Sequence, residues 1–164
     1  MHTLHGTVAH ARMSLATLLS DDLIAIAPPW RSFLDTVSGL VDCMIQAGAL
    51  PADRRGAVRD AVAAREAEGS TAVFEIGIGV PHARVPGLPG PAAALAIAPD
   101  GLYEAVPAVR IRIVALLVSP ATATEAHLKL LASVATTLRS GALRGTLLGA
   151  ATPADALRAL RQHG

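Results

Sequence analysis

The stretches Ala92-Ala-Ala-Leu-Ala-Ile-Ala98 and Arg110-Ile-Arg-Ile-Val-Ala-Leu-Leu-Val118 are short, mainly apolar and bounded by prolines. Segments of this length and composition are typical of strands that are buried on both faces of a sheet. Such a sheet needs helices on each side to cover it. We therefore place both stretches at the centre of a sheet and expect the covering helices in the flanking sequence.

The sequence before these strands predicts one more strand and two helices. Residues 22–27 form a short apolar run that Pro28-Pro29 ends, as expected of a first strand. Apolar residues then recur at helical spacing over residues 30–45, and Gly48 suits a left-handed helix end. A second, more polar helical pattern covers residues 53–68 and stops at the following glycine.

The remaining segments complete the expected order of elements. Residues 70–84 predict a strand that runs into a loop, because β-branched residues give way to glycines and a proline. Thr122 and Thr124 are candidate N-caps of a helix that Gly141 closes, and a capping threonine begins a last helix over residues 153–161. This order predicts the α/β class, as a three-layer α/β/α sandwich with a small mixed β-sheet.

Length and hydropathy indicate one domain. The chain has 164 residues, of which 52% are hydrophobic, enough for a single core. We expect this domain to cover residues 14–164 and a flexible extension to cover residues 1–13. His2, His5 and His10 of the extension are expected to be exposed to solvent, and a metal site there is the weaker alternative.

Charge and hydropathy also exclude several classes of protein. The formal net charge is +1, and one Trp, one Tyr and two Phe offer few stacking surfaces, so nucleic acid is not an expected partner. No apolar run approaches the ~20 residues of a membrane-spanning helix, and the N-terminus lacks a secretory signal. The single cysteine, Cys43, lies among apolar residues. We expect a cytoplasmic protein without direct membrane insertion.

Three side chains have settings that suit chemistry with anions: His82, His127 and Arg65. An imidazole near its ordinary pKa of about 6.5 is largely neutral at physiological pH, so a ring nitrogen can attack phosphorus or bind metal. His82 follows a proline on the predicted loop, and His127 lies near a helix N-terminus that favours anions. Arg65 is able to clamp an oxyanion. Taken alone, each also fits a structural or solvated role.

Common ligand and catalytic motifs are missing from the sequence. Gly77-Ile-Gly79 lacks the third glycine of a dinucleotide fingerprint, and no phosphate-binding Gly-Lys-Ser/Thr loop occurs. No serine lies in a nucleophile elbow, and no zinc-protease histidine pair is present. We therefore predict no cofactor, and a metal site made of His82 and His127 would lack a third ligand.

Four segments, taken together, are more specific than any one of them. They are Arg65-Glu-Ala-Glu-Gly-Ser-Thr71, Gly77-Ile-Gly-Val-Pro-His-Ala-Arg84, Leu116-Leu-Val-Ser-Pro120 and His127-Leu-Lys-Leu-Leu131. In this order and at this spacing they resemble the fructose/mannitol-type enzyme IIA domain of the bacterial phosphoenolpyruvate-dependent sugar phosphotransferase system. That family includes the nitrogen-branch regulators, and the resemblance runs over residues 20–161.

The resemblance implies a phosphocarrier. In such domains the histidine matched by His82 takes a phosphoryl group from phospho-HPr and passes it to enzyme IIB. The histidine matched by His127 orients the ring or the phosphoryl group, and the arginine matched by Arg65 belongs to the same site. The implied partners are HPr or its nitrogen-branch counterpart, enzyme IIB and regulatory protein targets.

Three positions depart from the family pattern. The family usually has Gly at the position of Glu75, a small polar residue at Ile76 and Ala at Gly79. The added carboxylate of Glu75 is expected to repel a phosphoryl group, or to withdraw Arg65 by pairing with it, if it points into the site.

Two functions of different classes are therefore carried forward. The first is a phosphocarrier, which the joint presence of Arg65, His82 and His127 favours. The alternative, motivated by Glu75 and Ile76, is a divergent regulatory protein-binding module in which phosphotransfer is weak or lost.

Overall fold

The structure is a computed structural model that describes residues 13–163. His2, His5 and His10 lie outside these residues, so what was expected of the N-terminal extension stays a prediction. The helices are α1 (Leu15–Leu18), α2 (Phe33–Gln46), α3 (Arg55–Glu68), α4 (Thr124–Leu138), α5 (Gly141–Leu148) and α6 (Pro153–His163). The strands are β1 (Ile24–Ile26), β2 (Ala72–Val73), β3 (Ile78–Gly79), β4 (His82–Val85), β5 (Ala92–Ile97), β6 (Tyr103–Val106), β7 (Val109–Ile111) and β8 (Ile113–Pro120).

The main sheet has the strand order β1-β5-β8-β3-β2, and β4 also pairs with β8. β8 is antiparallel to β5 and parallel to both β3 and β4, which confirms a mixed sheet. β3 pairs with β8 at Ile113 and Val114, whereas β4 pairs with it from Leu117 to Pro120. β3 and β4 therefore lie one after the other along the same side of β8.

Helices cover both faces of this sheet. α2 packs against β5 and α3 against β4, and the two helices contact each other. α4 packs against β8, α6 against β1 and α1 against β5, and α5 joins α4 and α6 in a second group. All six residues of β5 are buried, which requires cover on each face. The predicted three-layer α/β/α sandwich is thus confirmed.

The predicted strand over residues 110–118 divides into two strands. β7 leaves the main sheet and pairs with β6 as a separate two-stranded hairpin, and Arg112 separates it from β8. The backbone N–H of Arg112 donates to the carbonyl of Gly77, and its own carbonyl accepts from Ala98. The hairpin turn holds Ala108 at a positive φ of 69°. The apolar pattern alone did not reveal this change of partner.

The prediction that Gly141 closes a helix was wrong, because this glycine opens one. α4 ends at Leu138, and a further helix, α5, begins at Gly141 itself. The hydroxyl of Ser140 accepts from the backbone N–H of Leu143, so this serine caps α5. Leu143 and Leu147 of α5 are buried in the core, and their burial stabilises a helix of only eight residues.

A tyrosine explains why glycine occupies position 79, where the family usually has alanine. A Cβ atom built on Gly79 would lie 2.5 Å from the hydroxyl oxygen of Tyr103. The Tyr103 ring is buried and packs edge-to-face on Phe33 with 5.5 Å between ring centroids, so it has little room to move. Its hydroxyl is buried without a hydrogen-bond partner among the described residues.

We expect Gly79→Ala to lower the free energy of unfolding by about 1–3 kcal/mol through this overlap. Tyr103→Phe removes the hydroxyl, and the next Tyr103 atom is 3.6 Å from the added Cβ, an ordinary contact. In the Tyr103→Phe background, Gly79→Ala should therefore be neutral or slightly stabilising. Urea unfolding of both single variants and the double variant measures this coupling. Equal costs of Gly79→Ala in the two backgrounds would contradict it.

Candidate functional site

His82 opens strand β4, which corrects the prediction that it lies on a loop. Pro81 has no N–H to donate, but its carbonyl accepts from the backbone N–H of Leu117, so pairing with β8 starts at once. Nδ1 of His82 lies 2.8 Å from the carbonyl oxygen of Val80. A carbonyl only accepts, so Nδ1 carries the proton and Nε2 of the neutral ring keeps a lone pair.

His127 lies in the first turn of α4 and is buried, with 4% of its surface exposed. Its Nδ1 is 2.8 Å from the hydroxyl oxygen of Ser119, which is itself buried near the end of β8. Burial, followed by the charges of His82 and Arg84, lowers the pKa of His127 to about 4. His127 is therefore neutral at physiological pH.

The two histidine rings face each other, with 5.5 Å between centroids and 52° between ring planes. β4 pairs in parallel with β8, which puts His82 in register with Leu117, two residues before Ser119. α4 follows β8 directly and returns His127 to the same place. The site thus combines a half-buried imidazole that has a free nitrogen with a buried neutral imidazole.

Arg65 lies on the last turn of α3, as predicted, and α3 packs against β4. Its Nη1 donates to the carbonyl oxygen of Gly69 at 3.0 Å, which holds the end of its own helix. Glu66 fixes the following turn through the backbone N–H and the hydroxyl of Thr71. Within the described residues no hydrogen bond joins Arg65 to either histidine, so its part in the site stays a prediction.

Arg84 is the site residue that sequence reasoning missed. It follows His82 by two residues on β4, so the two side chains point to the same face. Nη1 of Arg84 donates to the carbonyl oxygen of Ala121 at 3.0 Å and to the hydroxyl of Thr124 at 2.6 Å. Thr124 is the first residue of α4 and not its N-cap, which is Ala123. Strand alternation could have identified Arg84, but only if residue 82 had been predicted to lie on a strand and not on a loop.

The departures Glu75 and Ile76 lie away from the histidines. Both belong to a single 3-10 turn before β3, and they line a surface depression together with Arg110, Arg112 and Arg144. β3 pairs with β8 at Ile113, four residues before the partner of His82. The predicted pairing of Glu75 with Arg65 does not occur, because Arg65 donates to Gly69 and the ion pairs within residues 13–163 do not include Glu75.

We expect Glu75→Gly to change the rate of phosphoryl acceptance by less than about twofold. Glu75 lines a depression with Ile113, and Leu117, the strand partner of His82, lies about 13 Å further along β8. This spacing exceeds the Debye length of about 8 Å at physiological ionic strength. The rate of phosphorylation of the variant and of the wild type, measured in parallel at 0.15 M salt, checks this. An acceleration of fivefold or more would restore the electrostatic hypothesis.

Two features are absent from residues 13–163. No group of three or more His, Cys, Asp or Glu side chains there is placed to hold a metal ion. No helix in the same residues has the length and apolar character needed to cross a membrane.

Comparison with known proteins decides the family. The family model described as "Phosphoenolpyruvate-dependent sugar phosphotransferase system, EIIA 2" matches residues 17–163. The chain belongs to this EIIA family. A curated relative, the PTS system fructose-specific EIIA component of Haloferax volcanii, is 29% identical over 137 residues, which cover 83% of this chain and 87% of the relative. The resemblance predicted from the sequence is confirmed, and the chain is a phosphotransferase-system component.

Solved structures confirm the EIIA fold. The nitrogen regulatory protein IIA-Ntr from Neisseria meningitidis aligns with a TM-score of 0.75 and 20% identity, covering 88% of this chain and 97% of that protein. An Escherichia coli complex of enzyme IIA mannitol with phosphorylated enzyme IIB mannitol aligns with a TM-score of 0.71 and 15% identity. That alignment covers 88% of this chain and 97% of the matched one.

The low pKa of His127 makes stability depend on pH. Between pH 6.5 and about 4 the unfolded chain binds a proton on this residue and the folded EIIA domain does not. The contribution is therefore complete above pH 6.5 and is lost as pH falls, by up to about 3 kcal/mol. Urea unfolding between pH 7.5 and 4 should show a steeper loss in wild type than in His127→Gln. Parallel curves for the two proteins would contradict the low pKa.

Proposed function

We propose that this chain accepts a phosphoryl group on Nε2 of His82 from phospho-HPr, or from its nitrogen-branch counterpart, and passes it to an enzyme IIB partner. The hydrogen bond from Nδ1 of His82 to the carbonyl of Val80 is the observation that carries this proposal, because it leaves Nε2 unprotonated. Membership of the EIIA family supports the reaction class. The fold shared with the Escherichia coli IIA–IIB complex supports the class of acceptor.

The transfer balances without a cofactor. The lone pair of Nε2 of His82 attacks the phosphorus of the donor's phosphohistidine, and the new N–P bond forms as the donor's P–N bond breaks. The donor imidazole leaves with the electron pair of that bond. The proton on Nδ1 stays in its hydrogen bond to Val80, whose carbonyl dipole stabilises the positive charge that develops on the ring. The reverse sequence delivers the phosphoryl group to enzyme IIB.

Because His127 is neutral, it interacts with a phosphoryl group on His82 through a hydrogen bond and not through a charge of its own. If Ser119 donates its hydroxyl hydrogen to Nδ1, the Nε2–H of His127 faces outward and can donate to a phosphoryl oxygen. Its ring centroid lies 5.5 Å from that of His82, so His127 is a near neighbour of a phosphoryl group carried on that ring. His127 then orients and stabilises the group, and His82 carries it.

The surface around the histidines fits brief docking by a protein donor or acceptor. Leu128, next to His127 on α4, leaves 60% of its surface exposed, the largest fraction among the exposed large apolar side chains of residues 13–163. A small apolar contact of this kind supports transient association. We place these reactions in the cytoplasm, where a free cysteine such as Cys43 stays reduced. Regulatory protein targets are a secondary proposal. The binding-module alternative was based on Glu75 and Ile76, and these residues line a depression that does not include the histidines.

Intact-protein mass spectrometry after incubation with phosphoenolpyruvate, enzyme I and HPr tests the proposal. We expect a gain of one acid-labile phosphoryl group that disappears when enzyme IIB is added. Phosphoramidate, a small chemical donor that phosphorylates histidine, serves as a donor that needs no partner. Labelling by phosphoramidate but not by HPr would reject HPr as the donor. No labelling by either route would reject the phosphocarrier and leave the regulatory binding module.

A further inference from the structure

Arg84 is placed in register with the residue that supports His127. Along the parallel pair of β4 and β8, His82 lies beside Leu117 and Arg84 beside Ser119. Ser119 makes the hydrogen bond to Nδ1 of His127. Ala83 and Val85, the alternate residues of β4, are buried, whereas His82 is half-buried and Arg84 exposed. Arg84 therefore belongs to the open side of β4, on which the histidines meet.

The guanidinium of Arg84 is held at one of its nitrogens. Nη1 uses its two hydrogens on the carbonyl of Ala121 and the hydroxyl of Thr124. These acceptors lie on the turn that leads into α4 and on its first residue, three positions before His127. Nε and Nη2 have no hydrogen-bond partner within residues 13–163. A fixed guanidinium thus presents one unoccupied edge.

In Arg55, a second arginine of this chain, the corresponding edge of the guanidinium binds a carboxylate. Nε and Nη2 of Arg55 donate to the two carboxylate oxygens of Asp42 at 2.7 and 3.2 Å. This two-point geometry matches the oxygens of a phosphoryl group equally well. Because Nη1 of Arg84 is already held, less conformational entropy is lost when the same edge closes on an anion.

We propose that Nε and Nη2 of Arg84 bind the phosphoryl group on Nε2 of His82, which makes Arg84 a catalytic residue of this EIIA domain. The inference rests on the proposed function and adds a residue to its site. Arg65 is the competing candidate, but its hydrogen bond to Gly69 ties it to the end of its own helix. The positive charge of Arg84 already acts at the site, since it contributes to the low pKa of His127.

A purely structural role for Arg84 makes different predictions. If Arg84 only fastened the start of α4, replacing it would lower stability and disturb His127 without a direct effect on the phosphoryl group. Phosphorus NMR separates the two roles, because a guanidinium bound to the phosphoryl oxygens lowers the pH at which that group takes up its proton. The measurement is made on protein loaded by phosphoramidate, so it does not depend on HPr.

The experiment compares wild type with Arg84→Lys, Arg84→Ala, Arg65→Ala and, as a distant exposed arginine, Arg158→Ala. For Arg84→Ala we expect phosphoryl acceptance from phospho-HPr about 30-fold slower and a phosphorus resonance that titrates at a pH about 0.5 to 1 higher. Arg84→Lys keeps the charge but not the two-point geometry, so its rate and its titration pH should lie between those of wild type and Arg84→Ala. Arg158→Ala, whose side chain pairs with Asp155 on α6, should match wild type.

The outcomes are separable from those of the proposed function. If wild type is labelled and the phosphorus resonance of Arg84→Ala titrates at the same pH as that of wild type, only the assignment of Arg84 is overturned. A slow Arg65→Ala protein beside a normal Arg84→Ala protein makes Arg65 the clamp and also overturns it. Wild type that neither donor labels rejects the phosphocarrier and the clamp together. Thermal unfolding of each variant by circular dichroism confirms that rates are compared between folded proteins.

Discussion

The His82→Ala protein should gain no phosphoryl group when it is incubated with phosphoenolpyruvate, enzyme I and HPr, whereas wild type gains one. The substitution removes the nitrogen that attacks phosphorus, and His127 cannot replace it. His127 is buried, and its Nδ1 is engaged with Ser119. We therefore expect loss of labelling by a factor of at least about 1,000, the scale on which nucleophile removal acts. Intact mass and acid-lability of the label measure it.

The matched control is His163→Ala. His163 is an exposed histidine on the last turn of α6, far along the chain from the site, and its replacement should leave labelling unchanged. His82→Gln is a second variant that keeps a polar side chain at the start of β4 and guards against a folding defect in His82→Ala. A stable phosphoryl group on either His82 variant would move the acceptor to another residue and reject the assignment.

Much of the fold follows from burial patterns in the sequence. The apolar run over residues 92–98 became β5, and helical spacing gave α2, α3 and α4 within a few residues of their ends. Local signals of this kind suffice because each records a short-range property, either the burial of both faces of a strand or of one face of a helix. The left-handed Gly48 and the Thr152 cap of α6 were predicted correctly because helix ends also carry short-range signals.

The missed features depend on which segment pairs with which. β4 has only four residues and follows a proline, so nothing local distinguishes it from a loop. Once it pairs with β8, alternation puts Arg84 beside His82, and the register brings it to Ser119. The separate pairing of β3 with β8 at Ile113 puts the turn that holds Glu75 towards the opposite end of β8, which sequence distance from His82 did not suggest. Strand register is a long-range property, and this is why the composition of the site was incomplete.

His127→Ala should slow phosphoryl acceptance on His82 by about 100-fold and still allow complete labelling at long times. The nucleophile remains, but the group that faces it across 5.5 Å is lost. His127 is neutral at pH 7, so its contribution is a fixed hydrogen bond and not a charge. Rapid-quench measurement of the rate, with end-point labelling from the same samples, separates slower transfer from loss of the site.

Two variants show how this contribution arises. His127→Gln can offer an amide N–H near the position of Nε2 and should recover part of the rate, whereas Ser119→Ala removes the partner that fixes the His127 ring and should cost less than His127→Ala. If the ring acted as a charged group, Gln would give no recovery and the rate would fall steeply as pH rises above 4. A His127→Ala rate within threefold of wild type would leave His127 with a packing role only. The phosphoryl group would then be stabilised by Nε and Nη2 of Arg84.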